Sequence, residues 1–386
     1  MTDAITRASL GELSPERRRL LEHLLRRSEG SGESGSERPM AISVFFFSSD
    51  PDDKAGEKYE LVLECARLAD RLGLHAIWVP ERHFDPFGAP YPSPCVLLGA
   101  LASATERIQL RAGSVVLPLH DPVLVAEEWG VLDAISHHRM GLSLASGWHA
   151  DDFVLDPDAY ADRKDVLEQR LAVLRALWSG EAVLRRGPAG RDVPTQVFPR
   201  PERAPEIWLT SSVNPVTWET AGRLGLHVLT ALLEQTVDDV TDKVARYRQA
   251  LTLAGHGVTD KQITCMVHTH LAADPGVVAE RVRRPLTQYL TTHLRLFEKF
   301  ATHNDIGVRV DAVSENDRAV LVEHGVRRYM STAGLFGSVD TARPMVDRLA
   351  AAGVTEIGCL IDFGLPPEQV LECVAELGKL QAAVRA

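Results

Sequence analysis

The sequence predicts a single domain of α/β class, a (β/α)8 barrel, and three observations carry that expectation. Short β-rich runs alternate with helical patterns from Met40 onward, there are eight such runs, and polar residues recur where the runs end. Alternating strands and helices imply parallel βαβ units with right-handed connections. Eight of them favour closure into a ring over an open sheet.

In chain order, strands are expected at 42–48, 76–80, 108–116, 140–145, 206–210, 227–230, 263–271 and 356–361. Helical patterns lie between them, among others at 59–72, 123–135, 163–178, 237–254 and 341–351. Gly73, Gly225 and Gly353 stand just before strands, where glycine relieves a helix C-cap. The stretch 274–329 falls between the seventh and eighth strands and is too long for a plain connection. It carries helical patterns at 277–300 and 315–324, and insertions at this end of a barrel shape the substrate pocket.

Three segments divide the chain: a helix within 1–27, a linker at 28–38 and the barrel domain at 39–386. In the first, Ser14 caps and Pro15 starts a helix whose stripe is Leu20, Leu21, Leu24 and Leu25, flanked by Arg17, Arg18, Arg26 and Arg27. Two readings stand, a helix packed on its own domain or a tethered docking helix for a partner. The linker, SEGSGESGSER, has nothing apolar to bury and is expected to be flexible. Its Gly30-x-Gly32-x-x-Gly35 string lacks the strand and helix that a dinucleotide fingerprint needs.

Bulk properties exclude several function classes. A net charge of −11 argues against nucleic acid as a partner. The five cysteines are scattered, odd in number and free of any CxxC pair, which favours reduced thiols over disulfides or a thiolate metal site. No secretory h-region is legible, and no apolar run approaches the ~20 residues that span a bilayer. A cytoplasmic enzyme is expected.

Functional side chains of barrels gather at the C-terminal ends of strands. Here Glu81, Arg82 and His83 follow the second strand, Ser114 sits in the third, and Ser146, Gly147, Trp148 and His149 follow the fourth. Thr210, Ser211 and Ser212 end the fifth, Thr230 the sixth and Asp362 the eighth. Met266, His268 and His270 share one face of the seventh by period-two alternation. Glu81 has a plain structural use, pairing with Arg82 or another basic group. His137 and His138 lie in a turn and read as solvated. His149, His268 and His270 lack acidic or Cys partners at ligand spacing, so no metal site is expected.

Three strings carry more: Ala76-IWVPERHFDPFG, Arg111-AGSVVLPLHDPVLVAEEW and Leu132-DAISHHRMGLSLASGWHADDF. Together they resemble the bacterial luciferase-like flavin monooxygenases, nearly unbroken from about Ile42 to Thr230 and more loosely beyond. The ERHF, RAGSVVLPLH and SGWH forms are most similar to the subgroup attached to polyketide and nonribosomal peptide pathways, and the helix from Leu13 resembles segments that join such assembly lines. The resemblance implies FMN delivered as FMNH2 by a separate flavin reductase, O2 as co-substrate, and oxygenation through a flavin C4a-(hydro)peroxide. A carrier protein docking through residues 13–27 and a homodimer are implied partners.

It also implies site residues. Luciferases follow the strand-two Glu with two His, the first catalytic; here these are Arg82 and His83, so either His83 serves as acid–base or Arg82 stabilises an anion. A cis peptide supporting the flavin ring falls at Gly113–Ser114. The phosphate cradle falls on Ser146, where luciferases have Arg, with Gly147, and on Ser211, Ser212 and Thr217 at a helix start. His149, His268 and His270 belong to the substrate pocket. Two alternatives remain: an F420-dependent oxidoreductase on the same barrel, and a non-catalytic flavin-binding paralogue that docks to a synthase.

Overall fold

The computed structural model describes residues 39–47, 55–88, 90–233, 235–303 and 314–385. The segments at 1–27 and 28–38 lie outside the described residues.

Eight parallel strands close into a ring: β1 (Ala41–Phe45), β2 (Ala76–Val79), β3 (Gln109–Val116), β4 (Met140–Ala145), β7 (Glu206–Thr210), β8 (His227–Ala231), β9 (Ile263–Leu271) and β11 (Glu356–Leu360). Closure is made by β11 against β1, with Ala41 opposite Glu356, and by β8 against β9. Helices return the chain between strands: α1 (Ala55–Leu72), α2 (Pro94–Ala104), α3 (Pro122–Ser136), α4 (Arg163–Ser179), α5 (Pro215–Arg223) and α6 (Val237–Leu253). The expected strand starts and ends hold to within two residues or fewer, except that β1 stops at Phe45 where 48 was expected. Gly73 and Gly225 take positive φ at helix ends, +72° and +66°.

The insertion after β9 contains α7 (Val278–His303) and α8 (Glu315–Arg328); β10 (Gly334–Gly337) and α9 (Val339–Ala351) then lead back to β11, and α10 (Pro367–Arg385) follows it. β10 was not expected; it pairs with β9 from His268 to Leu271, beyond the stretch that β8 covers. A second unexpected feature is an antiparallel hairpin, β5 (Val183–Arg186) with β6 (Asp192–Thr195). Arg328 at the end of α8 donates to the carbonyls of Leu232, Leu233 and Gln235, fastening the insertion to the loop after β8.

The lower half of the ring holds a buried charge cluster. Glu356 accepts from Ser43 Oγ and Trp78 Nε1 on one oxygen, and from Arg111 Nη1 (2.6 Å) and Thr264 Oγ1 on the other. The Arg111 guanidinium lies 4.3 Å from the Trp208 ring and also meets Glu206 at 3.1 Å. Both Arg111 and Glu356 side chains are 1% exposed. Burial alone pushes the Glu356 carboxyl up, yet Arg111 and His75 reverse this and hold it at about 2. This end of the barrel is internally neutralised, which leaves the C-terminal end for chemistry.

His138 does more than the sequence implied. It is exposed in the turn as expected, and it also bonds, Nδ1 to Asp133 at 2.7 Å and Nε2 to Glu202 at 2.6 Å, tying the turn after α3 to the segment before β7. No helix among the described residues is long and apolar enough to cross a membrane.

Candidate active site

The chain leaves β2 into Glu81, Arg82 and His83 at the C-terminal mouth of the barrel. Glu81 is fully enclosed, and its carboxylate can only accept. The Val116 amide donates to Oε2 at 2.8 Å, while His83 Nε2 and His120 Nε2 both donate to Oε1, at 2.8 and 2.6 Å. Burial raises the Glu81 carboxyl, but the hydrogen bonds from His120 and His83 outweigh it and hold the group at about 2. His120 is pulled the other way: burial disfavours its charge, and the adjacent Glu81 overcomes that and raises its pKa.

Sequence reasoning passed over His120. It follows a single turn of 3-10 helix, Leu117–Leu119, that brings the chain from β3 back over the mouth. Glu81 therefore does not pair with Arg82, as one reading had it. Arg82 is turned toward Asp152, with Nη1 bonded to both carboxylate oxygens, and its Cζ lies 5.8 Å from the Trp148 ring. Its Nε and Nη2 are buried with no hydrogen-bond partner. Asp152 is raised by burial, with Arg82 opposing. His149 is buried beside this pair, 3.8 Å from Asp152, and burial followed by the Arg82 charge lowers its pKa.

The Gly113–Ser114 peptide is cis. A side chain at Gly113 has no room, since its Cβ would lie 2.8 Å from the Phe45 ring and 2.9 Å from Trp78. Ser114, Thr210 and Ser143 form a row of hydroxyls across β3, β7 and β4, with Oγ–Oγ1 separations of 2.5 and 2.6 Å.

The expected phosphate cradle spans the neighbouring ends of β4 and β7, which pair in the sheet. Ser146 is half-buried, and Gly147 takes φ +78°, its carbonyl accepting from Arg163 Nε at 3.2 Å. Ser211 is buried and its hydroxyl donates to Asn214 O at 3.4 Å. Asn214 caps α5 by accepting from the Val216 amide, which leaves Ser212 exposed and Thr217 half-buried at the helix start.

His268 is enclosed by rings, with centroids 4.7 Å to Tyr329, 5.0 Å to Tyr289 and 5.8 Å to Phe363, and its Nε2 has no partner. Tyr289 comes from α7 and also meets Phe87 at 4.8 Å, so the insertion does cover the mouth. Burial drives His268 down to about 3 and His270 down to about 4, which keeps both rings neutral. Neither joins His149 in a ligand set. Among the described residues, the one group of His, Cys, Asp or Glu close enough to share an ion is Glu81, His83 and His120.

A closed parallel barrel with a carboxylate–imidazole cluster, a hydroxyl row and an aromatic wall at its C-terminal mouth defines a (β/α)8-barrel enzyme. The chain belongs to the luciferase-like monooxygenase family, whose profile matches residues 40–377. It is 26% identical over 240 residues to the oxygenase component of flavin-dependent trigonelline monooxygenase of Acinetobacter baylyi, covering 60% of this chain and 65% of that protein. It is 28% identical over 218 residues to 4-hydroxyprotoasukamycin monooxygenase of Streptomyces nodosus subsp. asukaensis, covering 53% and 58%. Monooxygenase RslO1 from Streptomyces bottropensis superposes with TM-score 0.73 at 23% identity, over 90% of this chain and 100% of that one. The oxygenating constituent of 3,6-diketocamphane monooxygenase from Pseudomonas putida, solved with FMN, does so with TM-score 0.71 at 18% identity, over 89% and 98%. These likenesses establish the same barrel.

Proposed function

We propose that the chain is the oxygenase of a two-component system that takes FMNH2 from a separate reductase, uses O2, and hydroxylates or inserts oxygen into a polyketide or nonribosomal peptide intermediate. The observation that carries this is the His83 imidazole held on a buried, ionised carboxylate at the mouth of a luciferase-like barrel. The residues present suit a flavin. Buried donors at Arg82 Nε and Nη2 are without partners, a costly state that an acceptor on a bound flavin would relieve. The start of α5, where Asn214 already takes the Val216 amide, offers a phosphate the Ser212 and Thr217 hydroxyls and the positive end of the helix dipole.

Reduced flavin, when bound, supplies the activation of O2. The protein's part is proton handling and exclusion of water. Glu81 fixes the His83 ring through Nε2, which leaves Nδ1 as the atom that takes or gives a proton. Phe87, Tyr289 and the neutral His268 form a dry wall against which an uncharged substrate packs. The relative named 4-hydroxyprotoasukamycin monooxygenase, of antibiotic biosynthesis, supports a natural-product substrate. Docking to a carrier protein through residues 13–27 is proposed on their sequence alone.

A homodimer is proposed on a surface feature. Val96 of α2 and Leu124, Val131 and Ile135 of α3 are 75%, 59%, 45% and 49% exposed, and the α3 residues share a face by their spacing of seven and four.

The test is anaerobic titration with FMNH2 followed by mixing with oxygenated buffer in a stopped-flow spectrometer. A transient absorbance that precedes oxidised flavin is the expected result. Binding of F420 in place of FMNH2 moves the reading to hydride transfer, and binding of neither moves it to a docking protein without turnover.

A further inference from the structure

We propose that Glu81, His83 and His120 form a divalent-cation site, with Zn2+ the ion that suits their donor set. One carboxylate oxygen and two imidazole nitrogens lie within 4.8 Å of one another. Two histidines and one carboxylate on one side of an ion leave its remaining positions open to water. The two rings come from separate loops, yet both aim Nε2 at the same oxygen, Glu81 Oε1. The other carboxylate oxygen is held by the Val116 amide, an outer contact that fixes the ligand's orientation without occupying Oε1.

Access and charge agree with an ion here. The His120 and His83 side chains are 33% and 11% exposed while Glu81 is 0%, so an ion enters from the mouth onto a desolvated carboxylate. Arg82, next in the chain, is already paired with Asp152.

Coordination replaces the two Nε2–H···Oε1 hydrogen bonds. A neutral ring exchanges its proton with water from Nε2 to Nδ1 and releases none, whereas an imidazolium ring releases one. Ion and bridging protons therefore exclude each other, and Zn2+ inhibits oxygenation by holding His83. That consequence rests on the monooxygenase reading; binding itself does not.

The experiment is calorimetric titration of the full chain with Zn2+, without flavin or substrate, repeated on His120→Ala, His83→Ala and the control His149→Ala. One ion per chain is expected, with affinity falling at least about 100-fold in the first two variants and unchanged in the third. Co2+ added in place of Zn2+ gives a visible ligand-field band that the same two variants lose, and Zn2+ raises the melting midpoint of the unmodified protein and of His149→Ala but not of those two. Failure of the folded protein to bind one ion, or binding that survives His120→Ala, overturns the site and leaves the monooxygenase proposal standing.

Discussion

Replacing Arg111 by Met removes the cation from a carboxylate that stays buried. Glu356 keeps its bonds to Ser43, Trp78 and Thr264 but loses the 2.6 Å contact that compensates its charge. Breaking one side of a buried pair costs about 3–5 kcal/mol. The carboxyl as a whole is held at about 2 against an ordinary 4.5, by Arg111, His75 and its hydrogen bonds together against burial, which by linkage contributes on the order of 3 kcal/mol. Because the folded value is the lower one, that contribution is fully present above about pH 4.5 and is lost as the pH falls toward 2. Equilibrium urea unfolding at pH 7 and at pH 4 measures both quantities. The variant is expected to lose about 3–5 kcal/mol at pH 7 and less at pH 4, and adding Glu356→Gln is expected to recover part of the loss. A single variant within about 1 kcal/mol of the parent refutes the reasoning, as does a double variant no more stable than the single.

His83→Ala is expected to lower product formation by about 100-fold or more with FMN affinity unchanged, read by single-turnover coupling and flavin fluorescence. Ser212→Ala with Thr217→Val is expected to weaken FMN about tenfold, through a lost charge-assisted bond, and to leave riboflavin binding unchanged. Val131→Lys with Ile135→Lys is expected to shift sedimentation from dimer to monomer; an unchanged coefficient removes α3 from the interface. Deleting residues 1–38 is expected to preserve flavin binding and reduce turnover of a carrier-tethered substrate, and equal turnover removes the docking role.

The ring strands were legible because each pairs a β-rich run with a helix of distinct period, and β4, β7 and β9 fall where the pattern puts them. β10 was not, since Gly-Leu-Phe-Gly is four residues long with two glycines and gains its pairing only from β9. The hairpin β5–β6 is half exposed throughout and offers little apolar signal. Among site residues, Glu81, Arg82 and His83 were visible from their place after a strand. What the sequence hid is direction: whether Arg82 faces Glu81 or Asp152 depends on a partner 70 positions away. The Arg111–Glu356 pair spans 245 positions and has no local signature at all. His120 was hidden inside a recognisable string and takes its meaning only from the turn that folds it back.

The Arg328 clasp bears on how this barrel diversifies. Its guanidinium closes three carbonyls of the loop after β8, so the insertion and that loop form one exchangeable cassette. Grafting 272–333 from a relative without the cognate loop strands those carbonyls, whereas moving both carries the pocket wall together with its own fastening. Recombination breakpoints in a shuffled library therefore belong before β8 and after β10, and a cut between them separates a lock from its key.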